Sequence, residues 1–243
     1  PILSSLRSMV HAAAPCPVET KWKMLDWWGD TIYEYYAATE GGGTLAKPAE
    51  WRKHPGTVGR AWPNAEVRIY DDQQRQLGPG QIGTVYMKLG QADFEYKDAA
   101  KKTRDNRIDD FFTVGDIGEL DEEGYLFLRD RKADMIISGG ANIYPAEIEA
   151  ELIQHPKIAD VAVFGIPHDD WGEEVKAVVE PVEGVVGDAA LTEEILAWAA
   201  NRLARFKTPK SIDYLPELPR DPNGKLYKRK LRDPYWAGRE RQV

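Results

Sequence analysis

The chain has 243 residues, is 42% hydrophobic and 30% charged, and carries a formal net charge of -8. That length supports one large or two modest globular domains, and the acidic balance argues against a chain built as a whole for nucleic acid. A single cysteine, Cys16, excludes an intrachain disulfide and suits a reducing, cytoplasmic setting.

No apolar run approaches the roughly 20 residues of a membrane-spanning helix. Residues 1–17 lack the charged and apolar regions of a signal peptide. The chain opens on Pro1, as an excised part of a longer protein would.

In chain order, residues 18–28 read as a helix and 31–36 as a short strand that leads into the glycine-rich loop "TEGGGT". From about 56 to 128 the pattern becomes short alternating strands, "AEVRIYD" and "GTVYMKL" among them, and a hairpin with its turn at Glu122–Gly124. This middle part is expected to be mostly β and to close as a small barrel. After "DMIIS", a further strand, comes the loop "GGANIYP". Pro145 sits where a helix can begin, acids Glu147, Glu149 and Glu151 fill its first turns, and Ile148 and Leu152 share a face. Two strands come next, "ADVAVFGI" and "VKAVVEPV". The last helix, within 191–209, is expected to be capped by Thr192 and to bury Ile195, Ala199, Leu203 and Phe206. The alternation of strands and helices after Arg131 predicts a separate α/β or α+β domain of about 110 residues.

Four segments could carry chemistry, and each also has a plain structural reading. In "YYAATEGGGT", glycines let backbone N–H groups approach an anion, Thr39 can donate to a phosphate, and Glu40 can hold Mg²⁺; the same residues could make a flexible turn. Asp116 in "TVGDIG" is an acid in an apolar run and needs partners, either a ribose diol or a structural donor. "RDRKADMIISGG" offers Arg131 and a bare backbone at Gly139 and Gly140, or simply a hairpin edge. In "LPRDPNGKLYKRKLR", Asn223–Gly224 can turn tightly and present Lys225 to a carboxylate or phosphate; alone, the run reads equally as a solvated basic surface. His11, His54, His155 and His168 do not cluster with other ligands, so no zinc site is expected.

In this order the segments resemble the acyl-adenylate-forming enzymes, a family that includes acyl-CoA synthetases, luciferase-type enzymes and peptide-synthetase adenylation domains. "YAATE" is similar to the family's Tyr-Gly-x-Thr-Glu motif and "TVGDIG" to its Tyr/Phe-x-x-Gly-Asp motif. "DRKADMIISGGANIYPAEIE" resembles the hinge and the segment after it, and "PNGKLYKRKLR" the C-terminal lysine motif. The likeness covers essentially the whole chain. It implies residues 1–130 as the end of a large adenylation domain, with the barrel at about 56–128, and residues 131–243 as a compact mobile α+β domain.

The resemblance further implies roles. Tyr36 would stack on adenine, with Ala13 and Ala14 of "HAAAPCP" on the other side. Thr39 would contact phosphate and Glu40 would ligate Mg²⁺. Asp116 and Arg131 would hold the ribose hydroxyls. Lys225 would approach the substrate carboxylate and the α-phosphate, and Gly139 and Gly140 would line the pantetheine path of coenzyme A. Ala133 stands at the pivot, where many relatives carry Asp or Lys, so a side-chain latch is missing there. Ala37 replaces the common glycine after the motif tyrosine.

A Ser/Thr/Gly-rich phosphate loop that ends in lysine, found in the family's N-terminal portion, has no counterpart in these residues. The resemblance therefore implies the C-terminal part of an AMP-forming acyl-CoA synthetase for a fatty or bulky, steroid-type acid, inactive in adenylation by itself. Its partners would be the acid, ATP and CoA, with a possible oligomer, no nucleic acid and a cytoplasmic location. The other readings are a different acyl-adenylate-forming enzyme or a non-catalytic module that binds a nucleotide or a protein.

Overall fold

The computed structural model describes residues 5–90, 97, 99–221 and 224–239. The chain divides into two units, Pro1–Arg129 and Asp130–Val243.

In the first unit, β1 (Met9–His11) lies parallel to β2 (Ile32–Ala37), with α1 (Val18–Trp28) between them. Parallel strands need a crossover, and α1 supplies it. Gly29, at φ 71°, ends the helix. Leu25 joins Ile32, Ala46 and Trp51 in a buried cluster that fixes the helix on the sheet. β2 returns through the glycine loop to β3 (Gly43–Ala46), and α2 (Pro48–Lys53) and β4 (Arg60–Ala61) come after it. The sheet order is β1-β2-β3-β4.

The second sheet contains β5 (Ala65–Tyr70), β6 (Gly83–Leu89), β7 (Arg107–Ile108), β8 (Phe111–Phe112), β9 (Asp116–Leu120) and β10 (Leu126–Arg131); α3 (Ala100–Asp105) precedes β7. β6 pairs β5 along its length and meets β9 and β8 at its two ends. Val67 and Ile69 of β5 meet Val85 and Met87 of β6 in one core, as period-2 alternation requires. The β9–β10 turn forms where the sequence indicates: Asp121 Oδ1 accepts from the N–H groups of Glu123 and Tyr125 at 3.0 and 2.8 Å.

The expected barrel does not form. Among the described residues no pairing closes the strip, which runs β10-β9-β6-β8-β7 with β5 on β6. The physical reason lies at Leu126. Its N–H donates to Gly59 O and its carbonyl accepts from Val58 N–H, both at 2.9 Å. The edge of β10 that could have closed a ring is therefore used by the segment before β4.

The second unit is a five-stranded sheet with helices packed on it. β11 (Ile136–Ser138) and β12 (Ala141–Ile143) form a hairpin that leads into α4 (Pro145–Leu152). β13 (Ile158–His168) and β14 (Gly172–Pro181) form a long antiparallel hairpin, and β15 (Ser211–Tyr214) lies parallel to β14 after α5 (Ala189–Ala200). Alternation along β13 sends Val161 and Val163 into a core with Ile148, Leu152, Leu191 and Ile195. Ala162 and Phe164 join a separate cluster with Leu218, against which Leu226 and Leu231 pack. The chain ends in α6 (Lys228–Arg232) and a 3-10 turn at Asp233–Trp236.

Two details of the last long helix differ from expectation. Asp188, not Thr192, is the cap: its side chain accepts from Leu191 N–H at 2.9 Å, because the helix starts four residues earlier. The helix also stops at Ala200, so Leu203 reaches the core from a turn, while Phe206 is 50% exposed.

Candidate functional site

The first unit holds six of the sequence-indicated residues, and three of them, Tyr36, Thr39 and Glu40, lie on β2 and the β2–β3 connection. The parallel register sets Met9 opposite Ile32 and His11 opposite Glu34. The chain that continues past β1 into Ala13 and Ala14 therefore emerges at the same end of the sheet as Tyr36. Both alanines are exposed, and Ala13 takes the left-handed region at φ 73°. Such backbone in a residue other than glycine is uncommon.

Thr39 and Glu40 form the tip beyond the Ala37–Gly43 pair that closes β2 on β3. Thr39 Oγ1 donates to Glu40 Oε2 at 3.1 Å. Gly43 is required by close packing: a Cβ there would lie 2.7 Å from Ala37 Cβ, the Trp62 ring and Tyr36 O. Gly42, at φ 84°, lets the loop rest on β6, where an added Cβ would stand 2.9 Å from Met87 Cβ.

Asp116 opens β9 and is 8% exposed. The turn before it is shaped by Gly115 at φ 85°, whose N–H donates to Thr113 Oγ1 at 3.0 Å. Tyr36 Oη donates to Asp116 Oδ2 at 2.7 Å. The two residues, drawn from separate motifs, are thus direct partners.

The second unit holds the remaining four. Arg131 ends β10 and is exposed. Gly139 and Gly140, at φ 57° and 79°, make the two-residue turn between β11 and β12. Positive φ at both central residues is the turn that matches strand twist. Gly139 N–H donates to Trp171 O at 2.8 Å, and a Cβ on Gly139 would meet the Trp171 ring at 2.5 Å.

Lys225 is exposed, on a loop closed by the Arg220–Leu226 bridge. Asp221 holds the Lys225 backbone twice: its Oδ1 accepts the Lys225 N–H, and its N–H donates to the Lys225 carbonyl, each at 2.9 Å. Arg220 adds a bond to Gly224 O at 2.6 Å. Asn223, expected in this turn, lies outside the described residues. The basic run is no loose tail, because Leu226 and Leu231 pack on the sheet.

Sequence reasoning missed two ionic groups, one buried and one part-buried. In the first unit Lys21, 1% exposed, donates to Glu34, which also meets His11 Nδ1 at 3.1 Å. In the second, Lys228 reaches Glu149 at 2.8 Å. A lysine within a helical pattern carries no sign of burial, so neither pair had a local signal.

Two family models match the chain: "AMP-binding enzyme" over residues 2–92 and "AMP-binding enzyme C-terminal domain" over residues 147–225. A long-chain-fatty-acid–CoA ligase of Bacillus subtilis (strain 168) is 36% identical over 231 residues, which is 94% of this chain and 41% of that protein. An indoleacetate–CoA ligase of Aromatoleum aromaticum is 38% identical over 232 residues, 95% of this chain and 45% of that protein. Among solved structures, ATP-bound MatB from Rhodopseudomonas palustris superposes with a TM-score of 0.85 at 34% identity, covering 94% of this chain and 45% of that one. This chain therefore spans less than half the length of these relatives.

Proposed function

This chain belongs to the acyl-adenylate-forming superfamily, of which it covers part of the enzyme, and we propose from this that it is a segment of an AMP-forming acid–thiol ligase. In the reaction, a carboxylate oxygen attacks the α-phosphorus of ATP. The bond to the β-phosphate oxygen breaks, giving acyl-AMP and pyrophosphate. The thiolate of CoA then attacks the acyl carbon and AMP leaves.

The observation that best supports this reading is the Tyr36–Asp116 hydrogen bond of 2.7 Å at the foot of the Thr39–Glu40 tip. In the proposed site the bond fixes the plane of the Tyr36 ring for stacking on adenine, and Ala13 and Ala14 leave room on the other side. Each carboxylate oxygen has two lone pairs, so Asp116 can serve Tyr36 and a ribose hydroxyl together. Arg131 is assigned to the ribose as well, and Thr39 to a phosphate oxygen.

Glu40 suits Mg²⁺ in the manner usual for that ion, one carboxylate with phosphate oxygens completing the shell. Among the described residues no group of three or more His, Cys, Asp or Glu offers a separate metal cage. When bound, the ion would offset phosphate charge.

Lys225 is assigned to the meeting of the two anions. An ammonium there lowers their repulsion as they approach, which is electrostatic stabilisation of a charge-dense transition state. Gly139 and Gly140 are assigned to the pantetheine path. Ala38, Gly41 and Gly42 are small where the acyl group is proposed to lie, which favours a fatty or bulky, steroid-type acid. Among the described residues no helix is long and apolar enough to cross a membrane.

The test is carboxylic-acid-dependent ATP–pyrophosphate exchange by this chain and by the whole natural protein, with fatty and steroid acids and with Lys225→Ala. The expected result is exchange by the whole protein only, abolished in the variant. Exchange by the whole protein that persists in Lys225→Ala would remove the lysine from the mechanism, and no exchange with any acid would overturn the reading.

A further inference from the structure

Three stretches far apart in the sequence meet in one ionic cluster within the second unit. Asp130 opens that unit. Its Oδ1 accepts from Arg131 N–H at 2.7 Å and its Oδ2 from Ala146 N–H at 2.8 Å, so its carboxylate caps the first turn of α4. On α4, Glu149 Oε1 accepts from Val163 N–H at 2.7 Å and meets Lys228 Nζ at 2.8 Å. Lys228 and Arg232 begin and end α6, four residues apart and so on one face.

Arg232 is 12% exposed at its side chain. Its NH1 donates to Ala133 O at 3.1 Å and lies 3.6 Å from Asp134 Oδ1. Ala133 is the residue whose side chain cannot latch the turn 130–134. The guanidinium of α6 grips the backbone of that turn instead.

Burial raises the pKa of Glu149 and Asp130, and the Lys228 charge opposes the rise. Burial alone would lower Lys228, but Glu149 and then Asp130 keep its ammonium above the usual range. A part-buried ionic cluster of this kind contributes little stability that apolar residues could not match. Lys225 lies three residues before Lys228, on the loop that leads into α6.

We propose that Arg232, backed by Lys228, is a positioning residue that latches the turn 130–134 to the Lys225 loop and to α4, so that the three move as one body. The inference rests on the proposed ligase reading, in which motion about that turn exchanges Lys225 for the Gly139–Gly140 hairpin at the reacting group. Because one nitrogen, NH1, serves both Ala133 and Asp134, the single ammonium of a lysine can partly replace it.

The experiment compares Arg232→Gln and Arg232→Lys with the parent in the whole natural protein, by amide hydrogen exchange and by ATP–pyrophosphate exchange. A hydrogen bond from a charged group lost in Arg232→Gln speeds exchange about tenfold at two places together, the amides of 134–135 and those of 224–225, with β13 and β14 unchanged. The adenylation kcat falls about tenfold while KM for ATP stays within about twofold, and Arg232→Lys recovers part of both effects.

Loosening of one place alone, loosening of β13 and β14 to the same extent, or no recovery with lysine would overturn the latch. A parent protein silent with every acid would overturn the ligase reading instead, and the paired amide response would still decide the latch.

Discussion

Tyr36 and Asp116, 80 residues apart, are joined by a 2.7 Å hydrogen bond from the phenol to the carboxylate. With Asp116 only 8% exposed, the loss of this donor would remove a hydrogen bond to a largely buried carboxylate. Tyr36→Phe is therefore expected to cost about 1–3 kcal/mol and to weaken ATP binding by the whole natural protein about tenfold or more. Tyr36→Ala, which also removes the ring, should lose a further ~1–3 kcal/mol, the value of one base–aromatic stack. Calorimetric titration with ATP checks the order. Equal loss in the two variants would show that the ring face does not bind the base.

Lys21 and Glu34 form a buried ion pair, with side chains 1% and 8% exposed. Neutralising Glu34 strands the buried ammonium, and losing Lys21 leaves the Glu34 carboxylate with His11 but without its lysine, so Glu34→Gln should destabilise the protein by about 3–5 kcal/mol and Lys21→Met by somewhat less. Changing both should cost much less than the sum. Urea unfolding of the four proteins gives the coupling energy, and additive single effects would contradict the pairing.

The two glycines of the β11–β12 turn differ in surroundings. A Cβ on Gly140 meets nothing within 4 Å, whereas on Gly139 it meets the Trp171 ring at 2.5 Å. Gly140→Ala should cost only the backbone strain of positive φ, ~1–2 kcal/mol. Gly139→Ala should cost more, and Trp171→Ala should relieve the excess. Thermal melts of the single and double variants decide this, and in the whole natural protein the thioester step should show the same order.

Burial, and then the hydrogen bond to Asp213 with its charge, push the Tyr235 phenol from the ordinary 10.0 up to about 12. A raised pKa in the folded state means that the native chain keeps this proton after the unfolded chain has lost it. The associated stability is complete below pH 10 and is lost as pH rises from there through about 12. Absorbance titration near the phenolate band should show one tyrosine ionising late, and Tyr235→Phe should remove that component and flatten the fall in stability. A late component that survives in Tyr235→Phe would assign it to another tyrosine.

Much of this protein was legible before its fold was known, and the reasons are local. Pro145 at the start of α4 acts through its own backbone, so that helix start could be read directly; the loop expected over "GGANIYP" instead turns at Gly139–Gly140 and holds β12, because Ala141–Ile143 pairs with β11. The period-2 alternation of β5 and β6 likewise marked their buried faces. The helix end at Ala200 was misread because Leu203 keeps the helical spacing of a buried residue while it reaches the core from a turn.

The order of four short motifs was enough, by itself, to indicate the family, since each depends on residue types at fixed local spacing. The tertiary structure alone decided which of those residues touch. Strand register joins Tyr36 to Asp116, the edge of β10 turns to Val58 and Gly59 and leaves the sheet open, and packing draws Lys228 and Arg232 from a basic run onto Glu149 and the turn at Ala133. Local propensity acts over a few residues. A hydrogen bond or ion pair between distant residues depends on how whole sheets and helices pack, and no short stretch of sequence carries that information.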